Sequence, residues 1–461
     1  MKRKVLALQN AGAGDNVSVI ITFDASYDDL DEAEKWRLAR LGLFARKEFT
    51  TAAVQAVWGE SETDTLTGLE GLAFAGLVEE TAAGWRMYDL LRQYAEDKLP
   101  KFDKEAVRNA CVAYVRYWKN YLEESERLTS ADWMAISDAG PEIVKAADWL
   151  LPRWEINRDL AADLAIEISQ TLSSYQFGQW ESWLQSGLAA AQVIGQDNTA
   201  RRLQRSLGEY YQWRGQPALA EQFLRQSLAS AEGILEQGTQ NNDAETIDNG
   251  RRGVAVTQSS LADLLRTRGQ YDEAERLYRL SLEAKEKIGD TREIAVTQVG
   301  MADLMVARKQ FAEAIELYQN SLTVCRDLRD AHSMGAILVR LGQLLLSLER
   351  QEEAKPYLLE AQQIFAMIGA QDWLQSIAGL LAQIQNPLTE LVALIRQARQ
   401  GDTVAGGQAW ELCDQLERQN DPALTALVRG LRRVLAGVPP ETALAHLPPD
   451  VRQQVLAALA A

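Results

Sequence analysis

Histidine and cysteine are scarce in this chain of 461 residues: two histidines, His332 and His446, and three cysteines, Cys111, Cys325 and Cys413. So few histidines exclude a histidine-rich metal site and most histidine-dependent catalysis. The cysteines lie far apart, so a disulfide framework is not expected, and a reducing cytoplasm is the natural setting. Long apolar runs are missing: none approaches the ~18 residues of a membrane span. No signal-type apolar core precedes Asn10. Positive charge is in deficit, with 48 Lys and Arg against 65 Asp and Glu and a net charge of −17. That field repels phosphates, which disfavours nucleic acid and anionic membrane as partners. A phosphate-binding loop is also lacking, since the chain holds no Gly-Lys dipeptide and Gly12-Ala13-Gly14-Asp15 is short and has no lysine. The carboxylates fall into no spacing that catalysis requires and read as solvated helix faces, so no enzyme is expected.

What is present is repetition. Leu261-Ala262-Asp263-Leu264 leads to Ala274, Met301-Ala302-Asp303-Leu304 to Ala314, and Leu341-Gly342-Gln343-Leu344 to Ala354. The three alanines are 40 residues apart, and each follows a small residue (Ala262, Ala302, Gly342) by 12. A fourth copy lies upstream, with Gly208 and Ala220 at the same spacing of 12. Four residues after each alanine stands a bulky residue (Leu224, Tyr278, Tyr318, Leu358), and seven after it a small one (Ser227, Ser281, Ser321, Ala361). These positions share one helical face. The spacing therefore predicts paired antiparallel helices, with small residues where the backbones meet and bulky ones filling the layer between them.

The pattern resembles the tetratricopeptide repeat, with a period longer than that family's ~34 residues. The resemblance implies an α-solenoid whose first helices line a groove for a protein or peptide. On this phasing the groove holds Arg202, Arg205, Glu209, Gln212 and Trp213, then Ser259, Asp263, Arg266 and Thr267, then Val299 and Asp303, and finally Val339, Gln343 and Leu346. Arginine and tryptophan are common interface anchors, and the polar end suits an extended or acidic segment.

The N-terminal part reads differently. Residues 1–16 form a short polar tail. From Val17 to Leu99 come an apolar β-branched stretch to Phe23, a helix through Phe44, a helix near Thr50–Trp58 and a third near Thr65–Ala75. A hairpin follows, from Leu77–Glu80 and Trp85–Met87 about a turn at Gly84, and the helix Asp89–Lys98 closes the unit. Ser26-Tyr27-Asp28-Asp29-Leu30, Leu41-Gly42-Leu43-Phe44 and Tyr88-Asp89-Leu90-Leu91-Arg92-Gln93-Tyr94-Ala95 resemble the winged-helix segment of NB-ARC-class signal-transducing ATPases, the STAND NTPases. In that family a Met-His-Asp motif contacts the β-phosphate of ADP. Here the motif reads Met87-Tyr88-Asp89, and Tyr cannot carry the positive charge of His. The resemblance makes Tyr88 and Asp89 cofactor-binding candidates only alongside a nucleotide-binding domain. ADP or ATP is expected only with that domain, in cis or trans.

The expected organisation is an all-α chain apart from the short hairpin. It comprises a tail (1–16), a winged-helix domain (17–102), a helical adaptor (103–195), a repeat solenoid (196–386) and a helical cap (387–461). In the adaptor the expected helices are Ala106–Glu126, one opened by Pro141-Glu142 and running to Leu151, and Ala161–Tyr175. Trp183 stands there where a degenerate repeat would carry its alanine. The stretch from Ala220 to Ala274 is about 14 residues longer than the regular spacing, and the polar, glycine-bearing Glu236–Gly253 reads as an inserted loop. The functional expectation is a non-enzymatic sensor and scaffold that relays ligand binding to a nucleotide-binding domain. The alternative is a DNA-binding regulator, although its recognition helix near Thr65–Ala75 lacks Arg and Lys.

Overall fold

The computed structural model describes residues 23–125, 130–171, 179–384, 387–418 and 421–460. The tail at 1–16, the stretch 17–22 and the end of the helix expected to reach Tyr175 (172–175) lie outside them. Two compact units emerge: one ends at Ile337, with Met367–Gly369 grouped in it, and the other holds Leu338–Ala366 and Ala370–Ala461.

The first unit opens with a helical turn over 23–28 and then α1 (Glu32–Leu41), where Asp31 and Glu34 close a reciprocal capping box. β1 (Glu48–Phe49), α2 (Thr51–Trp58) and α3 (Glu62–Phe74) follow, with Thr50 and Ser61 as N-caps. β2 (Glu79–Thr81) and β3 (Gly84–Arg86) form the expected hairpin, and α4 (Asp89–Lys98) packs on α1. The sheet has a third strand, in the order β1-β3-β2, all antiparallel, with Phe49 opposite Trp85. Two residues carry no readable alternation, so β1 was hidden in the sequence. Gly84 makes the pairing possible: it sits at φ 134°, and a Cβ there would lie 2.6 Å from the carbonyl oxygen of Phe49.

α5 (Lys104–Glu124) and α6 (Ser130–Leu150) come next. Pro141 does not open a helix, as its type suggested, but sits inside α6. An interior proline costs about 3 kcal/mol. The buried stripe Ile136, Ala139, Ile143, Ala146, Ala147 and Leu150 runs through it on both sides and offsets that cost. The Glu142 carboxylate accepts the backbone N–H of Ala45 (2.9 Å) and Arg46 (2.7 Å), tying α6 to the chain just beyond α1. Lys145 adds a bond to the Gly42 carbonyl at 3.1 Å and an ion pair with Glu96 at 3.0 Å. α7 (Arg158–Thr171) and α8 (Trp180–Ile194) follow, and Trp183 is fully buried with its indole N–H donating to Asp148.

The repeats are helix pairs: α9 (Asp197–Trp213) with α10 (Pro217–Asn241), α11 (Ala244–Thr267) with α12 (Tyr271–Ile288), and α13 (Thr291–Ala307) with α14 (Phe311–Asp327). α15 (Ala331–Ser347) contains the boundary between the units, and α16 (Gln351–Met367) completes the last pair. The small and bulky positions read from the sequence are buried: Ala220, Ala274, Ala314, Ala354, Leu224, Tyr278, Tyr318 and Leu358.

The expected insertion loop is not a loop. Its residues lengthen α10 and α11 to 25 and 24 residues, leaving only Asn242 and Asp243 between them. Asn242 adopts the left-handed C-cap at φ 53°, and Asp243 caps α11 by accepting from the N–H groups of Glu245 and Thr246. The glycines that suggested a loop are crossing points: a Cβ on Gly250 would lie 2.6 Å from Leu235 Cα, and one on Gly238 2.7 Å from Ile247 N.

In the second unit, α17 (Gln371–Ile384), α18 (Pro387–Arg399), α19 (Thr403–Glu417), α20 (Pro422–Leu435), α21 (Pro440–Ala443) and α22 (Pro449–Ala460) follow the last repeat. Leu391, Ile395, Ala409, Cys413, Val428, Leu431 and Leu444 form a core of their own.

Candidate functional site

The first helices of successive repeats lie side by side, and α9, α11 and α13 share a polar network. Arg205 donates to Glu209 at 2.6 Å, and Glu209 also accepts from Ser260 on α11 at 2.8 Å. One repeat on, Arg266 approaches Asp263 at 3.4 Å and Asp303 of α13 at 3.7 Å. Tyr278 donates to Asp263 at 2.6 Å, and Tyr318 donates to Asp303. Burial pushes the Asp263 carboxyl up, against the pull of Tyr278 and Arg266, while the Glu209 carboxylate raises Arg205.

The residues read as a groove thus divide. Arg205, Glu209, Asp263, Arg266 and Asp303 are brought together, chiefly with one another. Ser259 is a correction: it is buried, donating to the Val256 carbonyl and accepting from Lys285 at 3.2 Å, because α11 is covered on both sides. Trp213 is the most open of the set at 59% exposure, with Arg214 6.0 Å from its ring centroid. Arg202 and Gln212 are half-buried beside it on α9. Gln343 is exposed on α15 in the second unit.

Two charged residues escaped the sequence reading. Lys285 is nearly fully buried, bonded to Thr297 at 2.7 Å and paired with Glu293 at 3.0 Å, and burial lowers its pKa. Arg201 is also buried. Among the described residues its guanidinium bonds only to the Asn198 amide oxygen, at 2.9 and 3.2 Å, in space that Gly253 leaves open. Burial, reinforced by Arg205 and Arg202, lowers it to about 10, and no carboxylate among the described residues offsets that. The available signal was position. Lys285 falls four residues after Ser281 and Arg201 seven before Gly208, each placing a charge on an otherwise small and apolar stripe.

In the N-terminal module, the Tyr88 hydroxyl donates to Glu79 at 3.1 Å and Asp89 pairs with Lys47 at 2.9 Å. Desolvation, then the Glu79 bond, raises the Tyr88 phenol. Both side chains are thus engaged within the module itself, Tyr88 with the hairpin and Asp89 with the residue that precedes β1. The aromatics of α5 gather at a cleft of about 250 Å³, with Tyr117, Trp118 and Tyr121 along one wall and Phe49 and Arg46 opposite.

Residues 254–288 and 293–366 match the tetratricopeptide repeat family, so the chain carries tetratricopeptide repeats. No curated protein matches it. Among solved structures it is similar to a Signal Transduction ATPase with Numerous Domains (STAND) protein with a tetratricopeptide repeat sensor from Pyrococcus horikoshii, at 14% identity and a TM-score of 0.43. That alignment covers 95% of this chain and 64% of the other, so this chain spans less than two thirds of that protein. It is also similar to aspartyl phosphate phosphatase F from Bacillus subtilis (11% identity, TM-score 0.40, 90% of this chain and 94% of that one). BtubC from P. vanneervenii aligns at 21% identity and a TM-score of 0.29, over 51% of this chain and 92% of its own. Among the described residues, no helix is long and apolar enough to cross a membrane.

Proposed function

We propose that this chain is the sensor and scaffold part of a STAND-type signalling ATPase, binding a protein or peptide on the repeat face and relaying that event through its N-terminal module. Tetratricopeptide repeats are in general protein-binding scaffolds, and this chain carries them. The observation that carries the ligand class is the open end of α9, where Trp213 is 59% exposed and Arg202 lies half-buried beside it. An acidic segment laid along α9 meets arginine there through charge-assisted hydrogen bonds, with Trp213 as its apolar anchor.

The relay rests on the winged-helix resemblance and on the buttress that joins that module to α6. Glu142 and Lys145 hold residues at the end of α1, so a shift of α6 moves the module with it. The winged helix then transmits the change to a nucleotide-binding domain supplied in cis or trans, where ADP or ATP belongs. Such a relay works only if the ligand prefers one of the two states. α3 carries Glu62, Asp64 and Glu70 with no Arg or Lys, which supports a protein rather than DNA as the module's partner.

Pull-down from the native organism's lysate with this chain and with an Arg202→Ala/Arg205→Ala/Trp213→Ala variant tests the reading. A protein retained by the first and lost by the second is expected. Identical captured sets would remove the groove assignment. A mobility shift of random duplex DNA at moderate salt would replace the scaffold with the DNA-binding alternative.

A further inference from the structure

Tyr117, Trp118 and Tyr121 fall close enough along α5 for their rings to cluster on one side of it. They meet edge to face: the Tyr117 and Trp118 centroids are 5.0 Å apart at 85°, and those of Trp118 and Tyr121 5.4 Å apart at 67°. Each ring is only half-buried, and the cleft of about 250 Å³ opens in front of them. Phe49 of β1 closes the far wall, buried and stacked on Phe44 at 5.0 Å. The walls are thus fixed before anything enters. At the mouth stand two exposed charges, Arg46 from the segment before β1 and Asp138 from α6. Among the described residues neither side chain has a hydrogen bond or an ion pair. Desolvation and then Tyr117 raise the Tyr121 phenol. Asp138 raises it further and Arg46 lowers it, so both charges lie within electrostatic reach of one ring. The other carboxylates of the cleft are engaged: Glu48 pairs with Arg86, and Glu142 accepts from two backbone N–H groups and Tyr114.

We infer that this cleft is a binding site for a free α-amino acid with an aromatic side chain. Arg46 meets its carboxylate, Asp138 its ammonium group, and the four rings of the walls its own ring. Size, charge and lining each point to that class. A volume of about 250 Å³ lies below the ~300–1,000 Å³ of sites for drug-sized ligands, which suits an amino acid and is too small for a nucleotide. One open cation and one open anion call for a ligand with both signs. A zwitterion also escapes the repulsion that a chain of net charge −17 exerts on anions. The site goes beyond the sensor reading and stands without it. Its walls come from both sides of the junction that Glu142 ties: Arg46 and Phe49 from the N-terminal module, the three rings from α5 and Asp138 from α6. A ligand that bridges them favours the arrangement in which the module is docked on α5 and α6. The amino acid therefore biases the relay, and that consequence alone rests on the sensor reading.

Calorimetry and equilibrium dialysis on the full chain, with L-tryptophan, L-tyrosine and L-phenylalanine as probes and L-alanine as control, test the site. At least one aromatic amino acid is expected to bind saturably, and L-alanine at least tenfold more weakly. Arg46→Gln should weaken that amino acid about tenfold and leave its carboxamide unaffected, since the amide already lacks the group that arginine meets. Asp138→Asn should likewise weaken the amino acid and leave its N-acetyl derivative unaffected. Both side chains are exposed and bond to nothing among the described residues, so an unshifted thermal midpoint is expected for each variant. No saturable binding up to about 10 mM would overturn the proposal. So would binding that both variants keep in full, or L-alanine binding as tightly as the aromatic probes. Hydrogen exchange on the wild type needs no variant to fold: the bound amino acid should slow exchange at residues 45–50, and unchanged exchange there would place it elsewhere and overturn the site. Failure of the amino acids to bind removes the cleft site and leaves the sensor reading intact. Binding here with no partner captured through Arg202, Arg205 and Trp213 removes the α9 groove alone.

Discussion

The Ser281 hydroxyl donates to the carbonyl oxygen of Ala255 at 2.7 Å, from the second helix of a repeat to the first. The same bond recurs from Ser227 to Arg201 at 3.0 Å and from Ser321 to Ala295 at 3.2 Å, with 26 residues between donor and acceptor each time. In the three repeats that carry serine there, the small residue is therefore a buried tie between helices as well as a packing choice, and Ala361 of the last pair only packs. Ser281→Ala should cost about 1 kcal/mol in urea unfolding followed by circular dichroism. No measurable loss would mean that the hydroxyl only fills space.

Packing at the alanines is tight enough to resist enlargement. Ala314 has no exposed surface, and Ala314→Leu should cost roughly 1–3 kcal/mol by the same measurement. A neutral result would show that the helix pair can open without penalty.

Two glycines of the long α10–α11 pair should respond with opposite sign. Gly233 has nothing within 4 Å of an added Cβ, so Gly233→Ala should stabilise by up to about 1 kcal/mol through helix propensity. Gly250 would press its Cβ against the Leu235 backbone, and Gly250→Ala should lower the thermal midpoint despite that gain. If both substitutions stabilise, the close crossing is not present in solution.

Glu142 is a buried carboxylate with three donors: the N–H groups of Ala45 and Arg46 and the Tyr114 hydroxyl. Glu142→Ala leaves the two N–H groups without an acceptor and the Tyr114 hydroxyl with only the carbonyl of residue 142, 3.2 Å away, and should cost about 3 kcal/mol. Amide exchange at residues 45 and 46 should rise first, since those groups lose their partner directly. Faster exchange everywhere but there would place the effect elsewhere.

Burial pushes the Cys111 and Cys325 thiols up to about 11 and raises Cys413 as well. At pH 8 a thiol titrating at 9 is about one-tenth thiolate, and one titrating at 11 about one-thousandth. The native chain should therefore react with Ellman's reagent far more slowly than the urea-unfolded chain, which should release about three equivalents quickly. Because the folded-state values are raised, the stability linked to these thiols is complete below pH 9. It falls away as pH climbs toward 11, so base should loosen the fold. Rapid labelling of the native chain at pH 8 would contradict the burial.

Much of this architecture was legible without coordinates, because its signals are local and periodic. Twelve- and forty-residue spacings of small residues can be counted, and they place Ala274, Tyr278 and Ser281 on one buried face. The misreadings came where one residue type serves two ends. Glycine at 238, 250 and 253 marks either a flexible loop or a close helix crossing, and only the presence of a neighbour decides which. Pro141 marks either a helix start or a costly interior position, and the buried stripe running past it decided that.

The candidate site was half legible for the same reason. Helical phasing placed Arg202, Arg205, Glu209, Asp263 and Arg266 on first helices, yet it could not say that most of them bond to one another, or that Arg201 rather than its neighbours is the uncompensated cation. Sequence alone determined the repeat, its helical phase and the charge balance, since each depends on residues within a turn or a period of one another. Tertiary structure alone decided which charges are paired, which glycines touch a backbone, and that Arg46 and Asp138 open on one cleft. Those depend on segments tens to hundreds of residues apart, whose meeting is set by the packing of the whole unit and not by any local preference.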